Sequence, residues 1–159
     1  RLQGDWSSDV CSSDLFAAGA TSVGARFDYW RAAGQTALAY PLTGTGPGTF
    51  QRPYAQLKAP DAEMARLAHN DYLEQFSDSG WPGGIFYLVW ILSWLVHVGR
   101  WAWQRADAFG FTAALGVAAW LAQGLSEFSL YVPALAWTAF TLAGALAARA
   151  ASPTVSADE

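Results

Sequence analysis

Apolar and polar residues are interspersed as far as Ser79, and from Trp81 the chain turns almost wholly apolar up to Ala148. Three stretches carry this change: Trp81–Gly99, uncharged when His97 is neutral, Ala108–Ser126, with one amide at Gln123, and Leu130–Ala148. At 1.5 Å of rise per residue each has about the length of a hydrocarbon core of ~30 Å. Trp81, Trp101, Trp103 and Tyr131 fall near the ends of these stretches, where aromatic belts form at membrane surfaces. Buried helices of a large soluble core are the other home for such segments. Charge-free stretches of this length, three times over, are rarely needed there, so the pattern predicts three transmembrane helices across 81–148.

The polar half has its own periodicities. Phe27, Trp30, Ala33, Ala37 and Leu38 recur at roughly helical steps, which predicts a helix over Phe27–Leu38 lying along the membrane interface. Arg26 and Arg31 flank it, and Pro41 ends it. Thr43–Phe50 follows with glycines at 44, 46 and 48. Glycine frees the backbone for left-handed conformations, so this is either an ordinary turn or a nest of N–H groups able to take an anion. It is not a dinucleotide fingerprint, because the spacing is wrong and no strand precedes it. Met64, Leu67, Ala68, Tyr72, Leu73 and Phe76 give a second helical period. The predicted helix starts at Pro60-Asp61, with Asp61 as N-cap, and runs to Ser79, where Gly80 stops it. Arg66, His69, Leu73 and Phe76 would then share a face.

Composition supports a membrane protein. Hydrophobic residues make up 53% and charged ones 14%, against about a quarter charged in soluble domains. The mean hydropathy is only +0.15 because the first half is polar. One segment alters the reading of charge. Gly4–Leu15 reads GDWSSDVCSSDL, which matches the conceptual translation of a short-read sequencing adaptor. Residues 1–15 are therefore expected to be adaptor-derived and are set aside from fold reasoning. Without Asp5, Asp9 and Asp14 the chain has 10 acidic and 9 basic residues, so its acidity identifies no partner, and no nucleic-acid partner is expected. The sole cysteine, Cys11, goes with that segment, leaving no disulfide argument.

The short connections set an orientation. Arg100 and Arg105 lie between the first two apolar stretches and Arg149 follows the third, whereas the intervening Ser126–Ser129 turn holds only Glu127. The positive-inside rule places the three arginines in the cytoplasm. Residues 16–80 then form an external, periplasmic loop region with short helices, 81–148 the spans, and 149–159 a disordered cytoplasmic tail.

Taken in order, these features resemble the O-antigen ligase and O-antigen polymerase superfamily of bacterial inner-membrane proteins. The resemblance covers most of Arg26–Leu146. It rests on Arg26 with Trp30 and Ala33–Leu38, on Pro41-Leu42-Thr43-Gly44-Thr45-Gly46 through Phe50, and on His69-Asn70-x-x-Leu73 with Gly80 and Pro82-Gly83-Gly84. It is completed by Leu125-Ser126-Glu127-Phe128 with Pro133-Ala134, similar to a late turn in which Asp is commoner than Glu. Ser79 also departs from the Glu that many members carry there. The resemblance implies an all-α polytopic fold of the glycosyltransferase C type, of which this chain would be a C-terminal portion, inactive alone because upstream helices and a further arginine would precede Phe16. It implies transfer of a glycan from an undecaprenyl-diphosphate carrier to lipid A–core, to another glycan or to a protein hydroxyl. The carrier is already activated, so neither metal nor other cofactor is expected.

Carried over, His69 becomes the central catalytic or carrier-coordinating histidine and Arg26 the diphosphate-facing arginine. An arginine fork suits phosphate oxygens, and a histidine can take an acceptor hydroxyl's proton. Whether His69 is a base or an anchor stays open, as does its alternative as a neutral core ring. Arg31, Arg52, Arg66 and Asn70 are candidate substrate-binding residues, with solvated surface charge as the other reading of the arginines. Gly44 and Gly46 are candidates to shape the diphosphate site. Within the superfamily, ligase, repeat-unit polymerase and protein O-oligosaccharyltransferase remain alternatives. A transporter would place ionisable residues at mid-membrane, and a non-catalytic membrane protein would tolerate His69→Ala.

Overall fold

The computed structural model describes residues 12–60 and 62–152, which are all-α. The helices are α1 (Ser12–Ala39), α2 (Gln51–Leu57), α3 (Asp71–Gln104), α4 (Ala108–Gln123) and α5 (Pro133–Ala151), with a 3-10 turn at Ser129–Tyr131. The first part of the adaptor-like string, the expected cap Asp61 and the tail 153–159 lie outside the described residues.

α1 contains the predicted Phe27–Leu38 helix and reaches back to Ser12. Its small residues Ala32, Ala33, Thr36 and Ala37 are buried. Ala32 and Ala33 pack with Phe50 and Tyr54, which with Ala65 and Ala68 make a compact cluster. α1 ends at Ala39, two residues before Pro41, because a proline disfavours helical backbone in the residue before it.

α3 is a hairpin rather than a rod. Gly80 has φ 67° and ψ −174°, outside helical values. Tyr72 and Tyr87 would stand about 22 Å apart along a continuous helix, yet their ring centroids are 5.8 Å apart. Phe76 packs on Gly84, where any Cβ would collide with its ring. The arms 71–79 and 81–104 therefore run antiparallel, with the tip at Gly80. The glycine turn clasps that tip: Trp81 N donates to Pro41 O at 2.7 Å, Thr45 N to Ser77 O at 3.0 Å and Gly46 N to Asp78 O at 2.9 Å. Gly44, at φ 62°, lies against the Asp78 backbone with no room for a side chain, and a Cβ on Gly80 would come within 2.7 Å of Pro41 O. Pro82 is accommodated in the first turn of the second arm, where its missing N–H removes no helical hydrogen bond.

The second arm, α4 and α5 form an up-down-up bundle around Ile91, Val98, Trp101, Ala102, Ala114, Val117, Leu121, Ala143 and Leu146. Trp94 Nε1 also donates to Ala143 O at 3.0 Å. At one end Arg149 pairs with Asp107 at 3.1 Å and lies over Trp101 and Phe109. Arg149 thus belongs to helix, not to a disordered tail: α5 continues to Ala151 because 147–151 is alanine-rich apart from this arginine. α3 and α5 are long and apolar enough to cross a membrane. α4, with 16 residues, is a shorter apolar helix spanning about 24 Å. Many large apolar side chains point outward, among them Phe86, Leu92, Val96 and Trp137. Such a surface calls for lipid or further protein against it.

Candidate functional site

Three distant parts of the sequence meet at the bundle end opposite Arg149. Arg26 of α1 donates through Nη2 to Glu127 Oε1 at 2.7 Å and through Nη1 to Ser126 O at 3.0 Å. The other carboxylate oxygen, Glu127 Oε2, is 3.5 Å from His69 Nδ1. That carboxylate oxygen lies beside the imidazole but outside hydrogen-bond geometry, and Nδ1 is buried with no hydrogen-bond partner among the described residues. All three side chains are roughly one-third exposed.

His69 does not sit within a helix, contrary to the sequence expectation of a helix running from Pro60-Asp61 to Ser79. Its φ is 51°, left-handed backbone that costs an L-residue about 1–2 kcal/mol and that helices do not contain. The described residues from 62 to 70 are irregular, and α3 starts at Asp71. Asn70 is the N-cap: its Oδ1 accepts from Tyr72 N at 3.1 Å and Leu73 N at 2.9 Å, while its Nδ2 donates to Leu125 O at 2.7 Å. Surrounding contacts fix the strained residue. Trp30 Nε1 donates to His69 O at 3.2 Å, Tyr29 stacks on the ring at 5.8 Å, and Phe128 meets it edge-on at 4.7 Å. An Nδ1–H facing Glu127 would leave the Nε2 lone pair available to a substrate proton.

The first arm of α3 supplies a second polar group, a row of buried carboxylates that sequence reasoning missed. Asp71, Glu74 and Asp78 share one helix face and are each at most 3% exposed. Asp71 Oδ2 accepts from Leu130 N at 3.0 Å, and Glu74 Oε2 from Ala68 N at 2.7 Å. Asp78 Oδ2 accepts from Gly48 N at 2.8 Å and from Tyr131 Oη at 2.9 Å. Each carboxyl thus staples a different loop to the polar arm, which lies outside the apolar spans. Burial raises all three pKa values, Asp71 to about 6 and Glu74 to about 8, against the lowering effect of these hydrogen bonds. Glu74 is pushed further by the neighbouring charges of Asp78 and Asp71.

The other candidates are distributed differently. Arg31, Arg52 and Arg66 are exposed, and Arg66 shares no helical face with His69 because no helix joins them. Gly44 and Arg52 line a separate cleft of about 720 Å³, together with Gln35, Tyr40, Thr45 and Gln56. The N–H groups of Gly44, Thr45, Gly46 and Gly48 are all used within the chain. The turn works as a clasp, and the anion it meets is the protein's own Asp78. The spacing of the carboxylates at 71, 74 and 78, right after an Asn cap, was the available signal for the buried row. Glu127 carried no local signal of its contact with a histidine 58 positions earlier.

The described residues thus define an all-α protein with two helices of membrane-spanning length and an Arg–Glu–His cluster at one end. The family model for O-antigen ligase matches residues 6–88, a little over half the chain, and the chain belongs to that family. The match includes Arg26, the glycine turn, His69 and the α3 hairpin tip, while Glu127 lies beyond it. Comparison with curated proteins and with solved structures finds no match.

Proposed function

We propose that the chain forms part of a membrane glycan transferase that moves an oligo- or polysaccharide from an undecaprenyl-diphosphate carrier to an acceptor hydroxyl. The observation that carries this reading is the convergence of Arg26, His69 and Glu127 from three sequence regions on one partly open point. His69 Nε2 takes the proton of the acceptor hydroxyl as that oxygen bonds to the anomeric carbon of the donor sugar. The bond from that carbon to the carrier's phosphate oxygen breaks, and its electron pair leaves with the lipid diphosphate. Glu127 orients the imidazole and stabilises its positive charge, as carboxylates do for catalytic histidines.

Arg26 holds Glu127 in place, which makes it a positioning residue in this arrangement. The departing diphosphate needs cations, and the exposed Arg31 and Arg66 are open to supply them, whereas Arg52 lies in the separate cleft. The protein sits in the bacterial inner membrane, with the second arm of α3, α4 and α5 as the spanning bundle of a glycosyltransferase C-type fold. Arg100, Arg105 and Arg149 face the cytoplasm and His69 the periplasm. The family's description as an O-antigen ligase supports the ligase reading over the alternatives, and lipid A–core is then the proposed acceptor.

Glycan transfer by membranes bearing the whole transferase of which the chain forms part tests this. His69→Ala should lower the rate at least about a hundredfold, and Glu127→Gln should shift the pH–rate profile while preserving donor binding. Undiminished transfer by His69→Ala would remove the histidine from the chemistry.

A further inference from the structure

The cleft of about 720 Å³ between the C-terminal half of α1 and α2 is separate from the His69 cluster, and none of Arg26, His69 or Glu127 lines it. Its size is that of a small-molecule site. Its walls combine one cation, Arg52, two amides, Gln35 and Gln56, the ring of Tyr40, and the apolar Ala39 and Leu57. Among the described residues, no carboxylate lines it. The side chains of Gln35, Arg52 and Gln56 make no hydrogen bond or ion pair to other described residues, whereas Thr36, Thr45 and Thr49 spend their hydroxyls within the fold. The cleft thus offers several donors, an aromatic face and one unshared positive charge.

We propose that this cleft binds a saccharide unit bearing a carboxylate. The Arg52 fork would take the carboxylate, Gln35 and Gln56 would exchange hydrogen bonds with ring hydroxyls, and Tyr40 would cover a C–H face of the sugar. A free phosphate or a diphosphate would use Arg52 and the amide N–H groups, but would leave the amide carbonyls and the Tyr40 ring without a partner. Location fits a glycan-handling protein. Trp30, which binds the His69 carbonyl, and Gln35, which lines the cleft, are about 8 Å apart along α1. The proposal rests on the glycan-transfer reading for its biological meaning, but its test reads binding alone.

The experiment is a titration of the protein in lipid nanodiscs with a fluorescent glucuronosyl disaccharide, its neutral glucosyl counterpart and inorganic phosphate. The glucuronosyl probe should bind about tenfold more tightly than the neutral one. Arg52→Gln should erase that difference and leave neutral binding and thermal unfolding unchanged, and Gln56→Ala should weaken both sugars. Equal affinity for the two sugars in the unaltered protein, no saturable binding, or displacement of the probe by phosphate as effectively as by glucuronoside would each overturn the proposal. Competition identifies the source of the sugar. A prenyl-diphosphate-linked glucuronosyl disaccharide that displaces the probe better than the free disaccharide assigns the cleft to the donor, and equal displacement assigns it to the acceptor. A His69→Ala variant that still transfers glycan would sink the function proposed above without touching these binding results.

Discussion

Glu74 makes the fold's stability depend on pH in a direction opposite to that of an ion-paired carboxylate. Its side chain is fully buried, with Oε2 bonded to Ala68 N and Oε1 lacking a partner. Its pKa is raised from 4.5 to about 8, so the folded protein binds this proton more tightly than the unfolded chain. The stabilisation is fully present below about pH 4.5 and is lost as pH rises through about 8. At 1.36 kcal/mol per unit the limit is on the order of 5 kcal/mol, comparable with the whole stability of many domains. Asp71, raised from 3.8 to about 6, acts with the same sign in a lower window, and Asp78 is raised too. Thermal unfolding in nanodiscs from pH 5 to pH 9 should therefore show a falling melting temperature. Glu74→Gln keeps an acceptor for Ala68 N and mimics the protonated acid. It should lie close to the unaltered protein at pH 5, exceed it at pH 9, and remove the share of the decline due to Glu74, leaving that of Asp71, below about pH 6, and that of Asp78. A melting temperature that rises with pH, or a Glu74→Gln variant with an unchanged slope above pH 6, would refute the assignment of a protonated Glu74.

Three further outcomes are expected. Gly44→Ala should prevent stable folding, since its Cβ has no space against Asp78 and its φ is 62°; Gly34→Ala, with nothing within 4 Å of the new Cβ, should stabilise α1 by up to about 1 kcal/mol, and equal melting temperatures for the two variants would remove the clasp. Asn70→Ala should cost about 1–2 kcal/mol by loss of the cap and of the bond to Leu125, read as a lower melting temperature, and an unchanged one would deny the cap its role. Cysteines introduced at Arg105 and at Leu125 should react with a membrane-impermeant thiol reagent from the cytoplasmic and periplasmic sides respectively, with labelling of both from one side excluding the proposed orientation.

Much of the helical content was legible because it follows from local spacing. Phe27–Leu38 carries a complete helical period and lies inside α1. Each of the three apolar stretches is largely helical, although α4 is shorter than its stretch because Gly124 begins the turn that meets Asp71. The helix expected from Pro60-Asp61 failed for a physical reason. Met64, Leu67 and Ala68 continue the period of Tyr72, Leu73 and Phe76, but Ala65 and Ala68 are drawn onto Phe50 and Tyr54, and the Asn70 side chain caps the helix from outside. Of the apolar period in this stretch only Ala68 is buried, Met64 stays exposed, and Ala65, outside the period, is buried instead. Gly80 was legible as a stop, whereas the reversal there depends on Phe76 fitting over Gly84 and on the clasp from Pro41–Gly48.

The site was legible residue by residue but not as an arrangement. Arg26 and His69 each looked suited to a phosphate and a proton, and neither pattern announced that Glu127 would stand between them. That carboxylate changes what the arginine does. An Arg26 fork with donors on Glu127 and Ser126 has two of its hydrogen bonds committed, and it fixes the turn that also receives Asn70 and Asp71. The same turn supplies Phe128 to the histidine ring. A shift of this turn would displace the carboxylate and the aromatic edge together, so the orientation of His69 is tied to the 124–131 segment more directly than to the residues beside it in sequence. The left-handed backbone at His69 fits this view. Strain at one residue persists where its surroundings over-determine it, and here Trp30, Tyr29, Phe128 and the Asn70 cap all fix the same residue from different sides.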